Sequence, residues 1–228
     1  MKKQILKGLV LLGCCLLALS ACSQKDNTPV HYLDDLKMVD VDMSGYQGFN
    51  VAEHQFKRVT LKEANRIYKE GGSGILYYGY TSCAWCTQAV PVMNEVAKEL
   101  GLTIYYVDMG TDDGNTEESY NEFIDLVKDF LKTDDDGEPA LFVPQVFVVK
   151  NGKIVGDHLS TVDSYSPSQG NMTDSQKKEL KGIYKKIFEK LKEDLRDPFL
   201  LPDFLCRAKG KDKVSACENN IQEDVRKT

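Results

Sequence analysis

The stretch GYTSCAWCTQAVP, residues 79–91, sets two cysteines two residues apart where one structural period gives way to another. Ahead of it, residues 74–80 (GILYYGY) form a short apolar, aromatic run bounded by glycine, the pattern of a buried strand. Behind it, Ala89, Val92, Met93, Val96, Ala97 and Leu100 recur at helical spacing, and Gly101 ends the pattern. Pro91 falls inside this helix, removes one backbone donor and predicts a kink. Cys83 and Cys86 thus sit where a buried strand turns into a helix. Three chemistries fit such a pair: a redox couple, half of a metal site, or a structural staple. The spacing alone does not choose.

The remaining elements alternate. Thr60 with Glu63 reads as a capping box, opening a helix that Gly71 and Gly72 close. Residues 102–109 read as a second strand and residues 116–131 as an acidic amphipathic helix. That helix has Tyr120, Phe123, Ile124, Val127, Phe130 and Leu131 on one face. Residues 133–140 (TDDDGEPA) read as a loop. An apolar run with Pro144 leads into two strands joined by an Asn151-Gly152 hairpin turn. Thr173 and Gln176 form another capping box, before a helix to about residue 195 with Leu180, Ile183, Tyr184, Ile187, Phe188 and Leu191 inward. The order is β–(Cys-x-x-Cys)–α–β–α–β–β–α, an α/β protein with a central sheet flanked by helices.

The N-terminus carries a targeting pattern. Lys2, Lys3 and Lys7 precede a short apolar segment (GLVLLGCCLLAL) that ends in Leu19-Ser20-Ala21-Cys22. The segment falls short of the roughly 20 apolar residues a spanning helix needs. LSAC resembles the lipobox of bacterial lipoproteins, which implies cleavage before Cys22 and a diacylglyceryl lipid on its thiol. The expected organisation is a signal peptide over 1–21, a lipidated tether over 22–34, a folded domain over 35–197 and a tail over 198–228. The anchor implies a location on the extracytoplasmic face of the cell membrane. Net charge is −6 overall and −9 once the +3 of the leader is removed, which disfavours nucleic acid and anionic lipid surfaces as partners.

Of the seven cysteines, Cys14 and Cys15 leave with the signal and Cys22 takes the lipid. Cys83, Cys86, Cys206 and Cys217 remain, an even number in an oxidising compartment. Pairing by proximity is the simplest of three connectivities. A Cys206–Cys217 bridge reads as a staple on the tail, worth roughly 2–3 kcal/mol in the chain-entropy model. The competing reading is a second redox pair that relays electrons to Cys83 and Cys86.

Element order, the cysteine pair, Pro91 five residues after Cys86, and Val143-Pro144 ahead of the hairpin together resemble the thioredoxin-like superfamily over residues 74–192. The lipid anchor and acidic helical insert are similar to membrane-anchored bacterial thioredoxin-like lipoproteins and bacteriocin-transport accessory-type proteins. The resemblance implies a thioredoxin fold with a helical insert, and a cis-proline at Pro144 that docks an extended substrate segment beside Val143 and Trp85. It also implies thiol–disulfide exchange on protein substrates without a cofactor. A membrane-embedded redox partner is compatible with the anchor. Two departures stand out. The dipeptide between the cysteines is Ala84-Trp85, and the buried acid the family carries six residues before its first cysteine is Tyr77.

The chemistry of the pair follows from its position. Unsatisfied N–H groups and the dipole at a helix N-terminus favour a thiolate at Cys83, lowering a pKa of ~8.5 toward roughly 3.5–7.5. Cys86, one turn in, would resolve the mixed disulfide. Zinc would need two further ligands, and His31, His54 and His158 are scattered, so no metal is expected. The acidic loop fails the EF-hand pattern: with Gly137 sixth, Lys132 stands first and Val143 twelfth. Trp85 reads as exposed. The rival function is a non-catalytic accessory or binding protein for a secretion or envelope partner, motivated by Tyr77 and the insert.

Overall fold

A computed structural model of the chain describes residues 28–49, 51–111 and 114–192. Lipidation at Cys22, the signal segment and the Cys206–Cys217 pair lie outside the described residues. Among those described, no helix is long and apolar enough to cross a membrane.

The elements in chain order are β1 (Val39–Asp40), β2 (Phe56–Arg58), α1 (Leu61–Lys69), β3 (Gly74–Gly79), α2 (Ala84–Leu100) and β4 (Ile104–Asp108). They continue with α3 (Glu117–Val127), β5 (Lys132–Thr133), β6 (Pro139–Ala140), β7 (Gln145–Lys150), β8 (Lys153–Leu159) and α4 (Asp174–Phe188). Six strands form one mixed sheet in the order β1-β2-β4-β3-β7-β8. β3 runs parallel to β4 and antiparallel to β7.

The sheet is covered on both faces, which is why its central strands are apolar throughout. Strand alternation divides them: Ile75, Tyr77, Ile104, Tyr106, Val146 and Val148 face α2 and α4. Leu76, Tyr78, Tyr105, Val107, Phe147 and Val149 face α1 and α3. α2 packs on α4, and α1 on α3.

Local chemistry sets the element ends. Cys83 is the N-cap of α2, and Gly101 closes the helix at φ 63 with bonds to the Ala97 and Lys98 carbonyls. Asn151 (φ 51) and Gly152 (φ 79) form the tight turn between β7 and β8, as their residue types predict. The Thr173 capping box is complete, with Gln176 returning to the Thr173 N–H.

Four expectations need correction. The helix after Thr173 stops at Phe188 and tightens to a 3-10 turn over Glu189–Leu191, short of the expected end near residue 195. The Thr60 box is half made: Thr60 Oγ1 accepts the Glu63 N–H, but the Glu63 carboxylate turns to the Lys37 N–H and Arg66. A charged partner and a backbone donor from the N-terminal segment outbid the local one. The acidic helix stops at Val127 and tightens to a 3-10 turn over Lys128–Phe130. Residues 133–140 are not a plain loop, because β5 pairs antiparallel with β6. Within that hairpin, Asp134 accepts from the Asp136 and Glu138 N–H groups. Pairing β5 with β6 requires the chain to leave the helical path. Phe130, 43% exposed, still reaches Phe147 edge-on at 6.4 Å.

A candidate redox site at the sheet edge

The C-terminal ends of β3 and β4, the first turn of α2 and the start of β7 all lie at one edge of the sheet, and Cys83 stands among them. Cys83 and Cys86 form a disulfide, with Cα atoms 5.1 Å apart. Cys83 Sγ accepts the Cys86 N–H at 3.1 Å, so the sulfur itself caps the helix. The Thr87 N–H and hydroxyl both donate to the Cys83 carbonyl, at 3.0 and 3.2 Å. This cap satisfies donors that every helix start leaves open, and it places Cys83 Sγ at the positive end of α2.

Both cysteines are buried, Cys83 at 6% exposure and Cys86 at 0%. In the oxidised pair Cys83 thus presents only a small part of itself to solvent, but it is the cysteine that opens into the neighbouring groove. The Val143–Pro144 peptide is cis, and the Val143 carbonyl comes to 3.8 Å from Cys83 Sγ. A disulfide sulfur carries no hydrogen, so this is a close approach and not a hydrogen bond. Pro144 O accepts the Ser160 N–H at 2.7 Å, which ties the loop to the end of β8.

The groove measures about 520 Å³ and is lined by Cys83, Trp85, Met109, Tyr120, Phe142 and Val143 among others, none of them charged. Trp85 is 41% exposed, as its position between the two cysteines predicted, and Phe142 is 45% exposed. An uncharged lining with two open aromatic side chains is unusual on a chain that is 28% charged. Trp85, Val143 and Pro144 therefore come together with Cys83. Met109, Tyr120 and Phe142 were not anticipated as site residues. Phe142 had a signal: it stands in an apolar run before a proline that keeps it out of the following ladder.

Beneath the site, Tyr77 is fully buried in a cluster of phenols. Tyr46 donates to Tyr106 at 3.0 Å and, having one proton, accepts from Tyr77 at 3.0 Å. The Tyr77 and Tyr106 rings stack at 5.2 Å. Burial pushes all three hydroxyls well above the ordinary phenol range, so each stays neutral. A neutral phenol that already donates its proton is no general base for Cys86.

The same burial gives a pH prediction. Tyr68, Tyr78 and Tyr184 are raised as well, again by desolvation. A folded-state pKa above the unfolded value of 10.0 means that stability is intact below pH 10 and is lost as pH rises beyond it. We expect cooperative unfolding above pH 10, with phenolate absorbance and loss of helical circular dichroism rising together. Ionisation of these six buried tyrosines in a still-folded protein would contradict it.

Each histidine bonds a backbone carbonyl: His31 to Gly71, His54 to Val41 and His158 to Thr161. They lie far apart in sequence, His31 and His54 in irregular segments and His158 on β8. No protein-family model matches the chain, and no curated protein sequence matches it.

Proposed function

We propose that the chain is a thioredoxin-like thiol–disulfide oxidoreductase, anchored by a lipid on Cys22 at the extracytoplasmic face of a membrane. The observation that carries this reading is the Cys83–Cys86 disulfide at the start of α2, beside the cis Val143–Pro144 bond and an uncharged groove.

In the reduced form, Cys83 thiolate attacks one sulfur of a substrate disulfide. A Cys83–substrate bond forms as the substrate S–S bond breaks, and the departing thiolate takes a proton from solvent. Cys86 then loses its proton, attacks Cys83 Sγ and restores the Cys83–Cys86 bond, releasing the second substrate thiol. The pair gives up two electrons and the substrate gains them; the oxidant direction is the reverse. With Tyr77 neutral, the proton of Cys86 goes to water or to the substrate.

Trp85, Phe142 and Val143 would receive the apolar flank of the substrate cysteine. The groove suits an extended protein segment, and no cofactor is called for. A second reading, a non-catalytic binding protein that uses the same apolar groove, draws on the phenol cluster where an acid is expected.

The reduction potential of Cys83/Cys86 separates the possibilities. A value near −120 mV marks a disulfide donor and one near about −270 mV a reductant. A pair still oxidised well below about −300 mV is a static bridge, and the exchange reading fails.

A further inference from the structure

The negative charge of this chain is concentrated. Residues 114–142, from the turn before α3 to Phe142, hold nine carboxylates and two lysines, a net charge of −7. The chain without its leader carries −9, so the remaining residues nearly cancel one another. The two faces of the sheet differ in sign. On one face α3 has four carboxylates and no lysine, while on the other α4 has five lysines against two acids. Ion pairs answer only part of the negative charge: Lys69 of α1 pairs with Glu122, beside Lys62, and Lys128 lies 3.8 Å from Asp125.

The groove beside Cys83 opens on the acidic face. Tyr120 of α3 lines it, and Glu117 and Glu118 are exposed in the helical turn just before Tyr120. Leu141 and Phe142 line it as well, directly after the β5–β6 hairpin. At ~3.3 Å per residue, Glu138 at the end of the hairpin turn lies within about 10 Å of Leu141. Asp134 shapes that turn by accepting the Asp136 and Glu138 N–H groups, both at 3.0 Å, and Asp135 and Asp136 stand exposed at its tip. The facing wall is neutral. No Lys, Arg, His, Asp or Glu occurs between Glu70 and Glu95, the stretch that supplies Tyr80, Ser82, Ala84 and Trp85 to the groove.

Resting on the groove as the place where a protein segment docks, we infer that the segment is cationic, with an apolar residue beside its cysteine and lysine or arginine on the flanks. Two parts of the segment answer two parts of the surface. The uncharged lining would strip water from a charged side chain and return no partner, so the residue inside the groove is apolar. The carboxylates lie about one Debye length from that lining, ~10 Å at 0.1 M salt, where they still attract cations on the flanks. Acidic flanks would meet like charge. A cleft bordered by one sign of charge speeds encounter with the opposite sign, and the basic α4 on the far face turns a cationic partner toward the groove. The carboxylates are no site by themselves; they select what the groove receives.

Two disulfide-closed peptides test this. Both carry phenylalanine beside a cysteine; one has lysines at its ends and the other glutamates. Each is offered to the reduced full chain, and each rate is divided by that peptide's rate with neutral 2-mercaptoethanol, which removes the effect of peptide charge on the thiol chemistry. At about 10 mM salt, with a Debye length of ~30 Å, the lysine peptide should react faster by about 10- to 1,000-fold. At about 1 M salt, with a Debye length of ~3 Å, the two should converge. A variant combining Glu117→Gln, Glu118→Gln, Asp135→Asn and Asp136→Asn should lose most of the low-salt difference while keeping its helical circular dichroism.

Binding is read apart from exchange. The same peptides with serine in place of cysteine are titrated against the emission of Trp85, which lines the groove and is the only tryptophan of the chain. The lysine peptide should bind more tightly at low salt, by a margin that salt removes. Equal affinity for the two peptides, preference for the glutamate peptide, or binding of neither overturns the inference. So does a low-salt difference that the four substitutions leave intact. Where the variant loses its helical signal, the salt series on the unaltered chain decides. If neither disulfide peptide exchanges while the lysine peptide still binds the more tightly, the exchange reading fails and the inference about the docked segment holds.

Discussion

Cys86→Ser should abolish turnover while leaving Cys83 able to attack, so that a substrate accumulates on Cys83 as a mixed disulfide; Cys83→Ser should capture nothing. The asymmetry follows from position. Cys83 is the N-cap of α2 and lines the groove, whereas Cys86 is three residues further on, in the first turn, and fully buried. With its partner gone, Cys83 has a free thiol at a helix start, where a pKa of ~8.5 falls toward roughly 3.5–7.5. At neutral pH an unperturbed thiol is about 3% ionised and one with a pKa of ~6 about 90%, a gain in reactive species of about 30-fold. Alkylation of Cys86→Ser across pH measures it. A midpoint above about 8, or no trapped species in the presence of a disulfide substrate, removes the exchange reading and leaves the binding-protein reading.

The second large effect concerns the phenols beneath the site. Tyr46→Phe should destabilise the fold by about 2–4 kcal/mol, roughly twice the cost of Tyr77→Phe, although both delete a single oxygen. Tyr46 is the centre of the cluster: its hydroxyl accepts from Tyr77 and donates to Tyr106. Its loss strands a buried donor and a buried acceptor, and each uncompensated group costs about 1–3 kcal/mol. Tyr77→Phe leaves Tyr46 still donating to Tyr106 and strands no donor. For a domain of this size Tyr46→Phe should lower the melting temperature by about 5–15 °C. Equal effects from the two variants would mean that the hydroxyls are satisfied by water. Because the phenols are neutral, neither variant should move the pH dependence of Cys83 alkylation.

How far each feature was legible depends on how local its cause is. The strand before Cys83, the helix after it with its Gly101 stop, the Asn151-Gly152 turn and the Thr173 capping box were all readable. Each is decided by dihedral preference, capping or periodicity within a few residues. The end of α3 was misread because apolar spacing continues through Phe130, while the chain turns aside to pair β5 with β6. The Thr60 box was misread because Glu63 finds Lys37 and Arg66, and only the fold brings Lys37 there.

The groove was half legible. Cys83, Trp85 and Val143 were identified, with the cis Pro144 next to Val143, yet Met109 and Tyr120 join them only because β4 ends beside β3 and α3 returns over that edge. Nothing in their own neighbourhoods distinguishes them from core residues.

By itself, the sequence determined the alternation of strands and helices, placed the cysteine pair at a helix start, and put a tyrosine, Tyr77, six residues before the first cysteine. Tertiary structure alone decided what that tyrosine does. Tyr46 and Tyr77 are 31 residues apart and Tyr46 and Tyr106 are 60 apart, and no local rule reports a hydrogen bond over such distances. It also decided that Asn151, a turn residue by every local criterion, holds the N-terminal segment at the pole opposite Cys83. Backbone preferences act between neighbours, whereas a buried polar group takes whichever partner the packed chain delivers to it.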